Sequence, residues 1–431
     1  MKCDNINFSS HKGSRGIILK EYFELISDFG SSLYFTAIAL ITIFAGYYFI
    51  ISIFGWKKRT DKYEYKGSLN SYAVIISAHN EETVIKNTIN SIKEIDYPLN
   101  KYEIFVIADN CSDRTAQLAR ECGASVYERT NLQETGKGQA LKWMFNILFR
   151  LDKKYDSVVI LDADNLVAKD FLKQIDKKMS QGFEVVQGYR DMKNPWESWV
   201  TLSYAITYWL ANRLSQLPRQ YLGMNCTLTG SGYAVRIDTL KKIGWEIETL
   251  TEDVEFYFQL CLQDVKIGWA HEAIIYDEQP TTLLQSWKQR TRWMQGHFCC
   301  VFIYGKQILQ KLLQEKSIQA FDSLVMLLYP FFCVIGAMLM AIQGVLTIAQ
   351  IGDDSIRTIV ILVLISVLSF LVQNIYSLSV LADEKKANRK VILGLIILPL
   401  FNFTWIPIMI QGYFSRKNKK WAHIAHSGSI T

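Results

Sequence analysis

Apolar residues in this chain gather in unbroken blocks towards its two ends, and between them apolar and polar positions alternate. Residues 33–54 are almost free of charge, long enough to cross a hydrocarbon core about 30 Å thick at about 1.5 Å per residue. Three later blocks, at 321–351, 359–381 and 391–414, are each long enough to span as well. Charge between the blocks orients them. Lys57, Lys58, Arg59, Lys62 and Lys66 follow the first block and predict a cytoplasmic domain after it, with the amino terminus outside. Asp353 and Asp354 then fit an outer loop, and Lys385, Lys386, Arg389 and Lys390 an inner one. Pro399 and Pro407 predict a kink or re-entrant turn in the last block, so the side reached by the basic tail 415–431 stays open.

The middle of the chain, 66–317, reads as a soluble α/β domain. Strand-length apolar runs at 71–77, 103–109, 125–127 and 157–161 alternate with helical spacing at 82–95, 113–122 and 139–149. That order predicts a mostly parallel sheet with helices on both faces and a ligand crevice at the carboxyl ends of its strands. Segments near 195–217 and 286–313, rich in Trp, Tyr and Leu, predict amphipathic helices at the membrane interface.

Composition adds constraints. The 431 residues allow one catalytic domain plus membrane helices. A net charge of +6 would suit an anionic partner, but Lys and Arg crowd beside the apolar blocks, so nucleic acid is not expected. The eight cysteines lack Cys-x-x-Cys spacing and predict reduced, mostly buried thiols. Segment 1–32 has no small-residue cleavage site, so a removable signal peptide is not expected.

Carboxylates recur where strands end. Asp109, with Asn110, Ser112 and Asp113, closes the second strand, and Asp162-Ala163-Asp164-Asn165 closes the fourth. Two carboxylates one residue apart can face the same way and hold a hard divalent cation with its diphosphate, although Asp and Asn also cap helices and turn chains. Thr251-Glu252-Asp253 opens a helix, where Thr249 and Glu252 predict a capping box. Gln289, Arg292 and Trp293 stand at i, i+3 and i+4 on one helical face, with Arg290 between them. Guanidinium and indole there could hold a diphosphate and stack on a sugar, or simply sit among headgroups. Gly136-Lys137-Gly138 lets a cation approach phosphate but lacks the Walker spacing. The scattered histidines do not suggest a metal site, and no Gly-x-Ser-x-Gly elbow is visible.

Taken in order, the segment Ser77 to Glu82, the Asp109 cluster, the Asp162 triplet, Thr251-Glu252-Asp253 and Gln289 to Trp293 resemble the family 2 membrane glycosyltransferases, which include cellulose, chitin and hyaluronan synthases. The resemblance implies a GT-A catalytic domain inserted between membrane helices in the plasma membrane, facing the cytoplasm. It implies Ala78, Asn80, Glu81, Asp109, Lys137 and Asp162 around a UDP-sugar, with Mg²⁺ or Mn²⁺ on Asp164. Asp253 would be the general base, flanked by Glu252 and Thr251, and Gln289, Arg290, Arg292 and Trp293 would take the acceptor and diphosphate. The expected activity is inverting, processive β-glycan synthesis, UDP-glucose being favoured over UDP-N-acetylglucosamine. Sugar addition to a lipid-linked precursor and a degenerate binding or transport subunit are the alternatives. Glycan acceptor, lipid bilayer and export or regulatory partners complete the expectation. No cyclic-nucleotide module or Phe-x-Val-Thr gating segment is found, and one helix precedes the domain, closer to a chitin-oligosaccharide layout.

Overall fold

The computed structural model describes residues 35–56, 69–349 and 353–418. The amino-terminal segment, the basic cluster from Lys57 to Lys66 and most of the basic tail lie outside them. Helix α1 (Phe35–Ile53) comes first. After it run β1 (Tyr72–Ala78), α2 (Ile85–Lys93), β2 (Tyr102–Asp109), α3 (Thr115–Glu121), β3 (Ser125–Arg129), α4 (Lys137–Leu148), β4 (Ser157–Asp162), β5 (Leu166–Val167), α5 (Phe171–Met179) and β6 (Val185–Met192). Then follow α6 (Trp199–Ala211), α7 (Leu217–Leu222), β7 (Tyr233–Arg236), α8 (Ile237–Ile243), α9 (Glu252–Leu262), β8 (Ile267–Asp277) and α10 (Leu283–Glu315). The chain ends in α11 (Ile318–Ala349), α12 (Asp353–Asp383), α13 (Arg389–Phe403) and α14 (Trp405–Ser415).

The eight strands form one sheet in the order β3-β2-β1-β4-β7-β6-β8-β5. Strands β3, β2, β1 and β4 are parallel, as the alternating pattern requires. The short β7 then runs antiparallel between β4 and β6 and makes the sheet mixed. Central strand β1 is apolar from Tyr72 to Ile76 because both its faces are covered. Ala73 and Ile75 enter one apolar cluster, Tyr72, Val74 and Ile76 the other, following the two-residue period of a strand. Helix α2 begins three residues later than the sequence pattern suggests. The Glu82 amide instead donates to Asp113 Oδ2 at 3.1 Å, and Glu82 Oε2 accepts from the Arg114 amide, tying the β1 and β2 loops together. All seven described cysteines are free, but only Cys226, Cys261 and Cys300 are buried.

Among the described residues, four spans are long and apolar enough to cross a membrane: α1, the first part of α11, most of α12, and residues Arg389–Ser415. The last is broken at Thr404, where α13 gives way to α14. Pro407 has no N–H for the Phe403 carbonyl, so the helical ladder is interrupted there.

Two buried arginines join these helices to the domain. Arg213, just after α6, donates to the carbonyls of Gly55 (2.7 Å) and Trp56 (3.2 Å) behind α1, and pairs with Asp383 and Glu384 at the end of α12. On α7, Arg219 meets Asp322 of α11 through both carboxylate oxygens at 2.9 Å, and Tyr47 of α1 adds a hydrogen bond of 2.8 Å. Removing one member of such a pair strands the other's charge in a dry interior. Arg219→Ala is therefore expected to cost about 3–5 kcal/mol, measured as thermal unfolding in detergent, and pairing it with Asp322→Leu should recover most of the loss.

Candidate active site

The carboxyl ends of β1, β2 and β4, the start of α9 and one face of α10 converge on a cavity of about 830 Å³. That size suits a ligand as large as a nucleotide sugar. Asp162, at the end of β4, faces Lys137, the first residue of α4, and the two are ion-paired. The Lys137 ammonium also donates to the Gly230 carbonyl at 2.6 Å and lies 3.4 Å from Glu252. Burial lowers its proton affinity, but Asp162, Glu252 and Asp253 more than reverse that, so it stays charged.

Helix α9 starts at Glu252 with Thr251 as its first flanking residue, and the predicted capping box does not form. The reach back comes from Glu255, whose Oε2 accepts from the amides of Glu248 (3.0 Å) and Thr249 (2.8 Å). This later start leaves Glu252 for Lys137 and turns Asp253 into the cavity. Burial, then the neighbouring Glu252, push the Asp253 carboxyl up to about 7, with Lys137 opposing. Gly296 of α10 lets that helix close on the same segment, since a Cβ there would lie 2.1 Å from Thr251 Oγ1. Gly296→Ala must push Thr251 and its neighbours aside. We expect a loss of about 1–3 kcal/mol in stability and a clear drop in turnover, read by thermal unfolding and by release of the leaving nucleotide.

Asp164 lines the cavity, with Oδ2 accepting from the Glu278 amide (3.1 Å) and Oδ1 from Asn165 (3.4 Å). Among the described residues no group of three His, Cys, Asp or Glu forms a metal cage. One cavity-facing carboxylate nonetheless fits Mg²⁺ or Mn²⁺, which take few protein ligands when diphosphate oxygens complete the shell. Asp109 is buried against Arg129 at 2.6 Å and shares Oδ1 with Asn110. Burial raises its carboxyl, and Arg129 works against that rise.

On α10, Gln289, Arg292 and Trp293 line the cavity as their shared face predicts. Arg292 carries a buried Nε without a partner, in the field of Glu252, Asp162 and Asp253. Three predicted residues do not line it. Ala78 is packed inside the sheet end. Asn80 adopts a left-handed backbone (φ 57°) and its Oδ1 accepts from the Ser112 amide at 2.8 Å, so its side chain holds the loop. Arg290 points off the flank of α10 beside that face, into the break at Thr404. Glu81 does line the cavity.

Among the cavity residues that escape the sequence reading are Arg190, Tyr208, Asp277, Glu278 and His297. Arg190 of β6 binds Asp277, the Tyr208 hydroxyl (3.1 Å) and the Thr229 carbonyl (2.8 Å). Asp277 ends β8 just as Asp109 ends β2, and Glu278 follows it, so the strand-end rule finds both. Arg190 gave no such signal, lying inside a wholly buried strand.

The model of a family described as "Glycosyltransferase like family 2" matches residues 70–296, more than half of the chain. The chain belongs to this family. The family 2 chain is 29% identical over 258 residues to the beta-monoglucosyldiacylglycerol synthase of Trichormus variabilis, covering 57% of this chain and 53% of that one. It thus spans about half the length of that curated relative. A Bacillus subtilis protein named "Probable glycosyltransferase YdaM" is 24% identical over 411 residues, 89% of this chain and 94% of the other. In fold, the chain is similar to a mannosyltransferase from Pyrobaculum calidifontis solved with GDP-Man and Mn²⁺. There the identity is 17% and the TM-score 0.56, covering 85% and 97% of the two chains. The domain is therefore of GT-A type, and this family 2 chain carries membrane-length apolar helices.

Proposed function

We propose that this protein is an inverting β-glycosyltransferase that takes a hexose from a UDP-sugar, glucose being favoured, and extends a β-glycan processively at the cytoplasmic face of the plasma membrane. The observation that carries this reading is Asp253, buried with a carboxyl poised near 7, in one cavity with Asp164 and the Gln289, Arg292 and Trp293 face. A base that ionises near the working pH is matched to deprotonating a sugar hydroxyl.

In this reading Asp253 removes the proton from the acceptor hydroxyl as its oxygen bonds to the anomeric carbon. The bond from that carbon to the UDP oxygen breaks on the opposite face, its electron pair leaving with UDP, so an α-linked donor gives a β-linked product. Asp164 would hold Mg²⁺ or Mn²⁺, which when bound would supply positive charge to the diphosphate. Lys137 and Arg292 hold the same diphosphate, Asp109 meets the base, and Trp293 stacks on the acceptor. Residues 69–317 form the cytoplasmic domain, and the four apolar spans, with α6 packed on α12 and α13 and α10 on α11 and α14, offer a route for the product. Export partners would act beyond that route.

A second reading is transfer to a lipid acceptor. It is favoured by the glucosyl-lipid relative and by Trp293, on the acceptor face of α10, stacking on Trp405 of α14. Protein reconstituted in lipid with labelled UDP-glucose or UDP-N-acetylglucosamine and either metal decides between them. Polymer cut by linkage-specific glycanases supports the first reading, and a short lipid-soluble product the second. Absence of UDP release removes both.

A further inference from the structure

Arg290 sits inside the Gln289 to Trp293 motif yet is fully buried and does not line the cavity. Its Nη1 donates to Thr404 Oγ1 at 2.8 Å, and Thr404 in turn donates to the Phe401 carbonyl at 2.6 Å. The guanidinium lies 4.2 Å from the ring centre of Phe401 and 4.9 Å from that of Trp405. Among the described residues it has no carboxylate partner, and Nη2 has no hydrogen bond. Such a burial is costly and would not be expected of a residue that only fills space.

Both sides of the break in the last membrane span are thus clasped by one cation: Phe401 before it, Thr404 at it and Trp405 after it. The Trp405 indole then stacks on Trp293, centroids 6.4 Å apart and planes 24° from parallel. Tyr204 of α6 closes the cluster edge-on to Trp293 and Phe401, and its hydroxyl donates to Gln289 Oε1 at 3.2 Å. Of these two supports of the Trp293 ring, Trp405 belongs to the joint that Arg290 holds, and Tyr204 touches that joint through Phe401.

We propose that Arg290 and Trp405 are positioning residues, which lock the α13/α14 break against α10 and so fix the Trp293 ring at the acceptor end of the cavity. The inference rests on the transfer reading for its functional consequence. Its geometry makes a separate prediction: two stacked indoles produce an exciton couplet in circular dichroism, visible as the difference between wild type and Trp405→Phe.

The test uses full-length protein in lipid vesicles with Arg290→Gln, Trp405→Ala and Trp405→Phe. Transfer to acceptor, hydrolysis of UDP-glucose by water and UDP affinity are measured beside the couplet. We expect Arg290→Gln and Trp405→Ala to lose the couplet and to lower transfer by about 10- to 100-fold, as a displaced platform would. Hydrolysis and UDP affinity should hold, and Trp405→Phe, which keeps a ring, should restore most transfer. The proposal is overturned if Arg290→Gln retains the couplet, or if hydrolysis and transfer fall together. A wild type that releases no UDP defeats the transfer reading, while the couplet still decides whether Arg290 sets the indole pair.

Discussion

Asp253→Asn is expected to abolish sugar transfer, lowering it by about 10²- to 10⁴-fold, while UDP affinity in the presence of metal stays close to wild type. The amide keeps the shape and the place of the carboxylate at the start of α9 but cannot accept the proton. Because the base works ionised, wild-type transfer should rise with pH and level off above about 7, where burial and Glu252 have put the Asp253 carboxyl. The residual activity of the variant should show no such inflection. Initial rates of UDP release across neutral pH measure this, and a wild-type rate that falls as pH rises through 7 would exclude Asp253 as the base.

The same carboxyl predicts an opposite effect on stability. Unfolded, it ionises near 3.8; folded, it holds its proton to about 7. Between those values the unfolded chain has released a proton that the native one retains, so stability falls as pH rises through that window. Asp253→Asn removes the penalty. The variant should therefore melt a few degrees above wild type at pH values over 7, with the difference vanishing below about pH 4. Lost turnover with gained stability separates a catalytic carboxylate from a structural one.

Much of this site was legible because parallel strands end on one edge. The apolar runs of β1, β2 and β4 need burial on both faces, so polar residues just beyond them must gather at one crevice, and Asp109, Asp162 and Asp164 do. The helical period placed Gln289, Arg292 and Trp293 together for the same kind of reason. What periodicity could not carry was tertiary. Strand β7 has four residues and is turned into place by Gly230 and Gly232, both at positive φ, where a Cβ on Gly232 would sit 2.7 Å from Ile275. Arg290 shares a motif with Arg292, but two residues along a helix turn the side chain by about 200°, enough to put it in the membrane joint. The start of α9 was missed by the same margin. Thr249 and Glu252 have capping-box spacing, yet Glu255 reaches the loop amides instead, which no local pattern distinguishes.

Asp164→Asn and metal removal should converge on one phenotype, distinct from that of Asp253→Asn. Among the described residues no three ligating side chains converge, so a cation here would be held by Asp164 together with the diphosphate it serves. Metal affinity and UDP affinity must then be coupled: each is weak without the other. In calorimetry, wild-type protein should bind UDP with Mn²⁺ or Mg²⁺ much more tightly than in chelator, and Asp164→Asn should abolish that difference. Transfer should fall with it. Several kcal/mol of charge stabilisation in the departing diphosphate is at stake, about a thousandfold in rate at about 1.4 kcal/mol per tenfold. Lys137, already held among Asp162, Glu252 and the Gly230 carbonyl, cannot supply that charge alone, since its own charge is largely neutralised by those carboxylates. Undiminished transfer in chelator would assign the leaving-group charge to Lys137 and Arg292 instead. It would also reduce Asp164 to its observed bonds with Asn165 and the Glu278 amide.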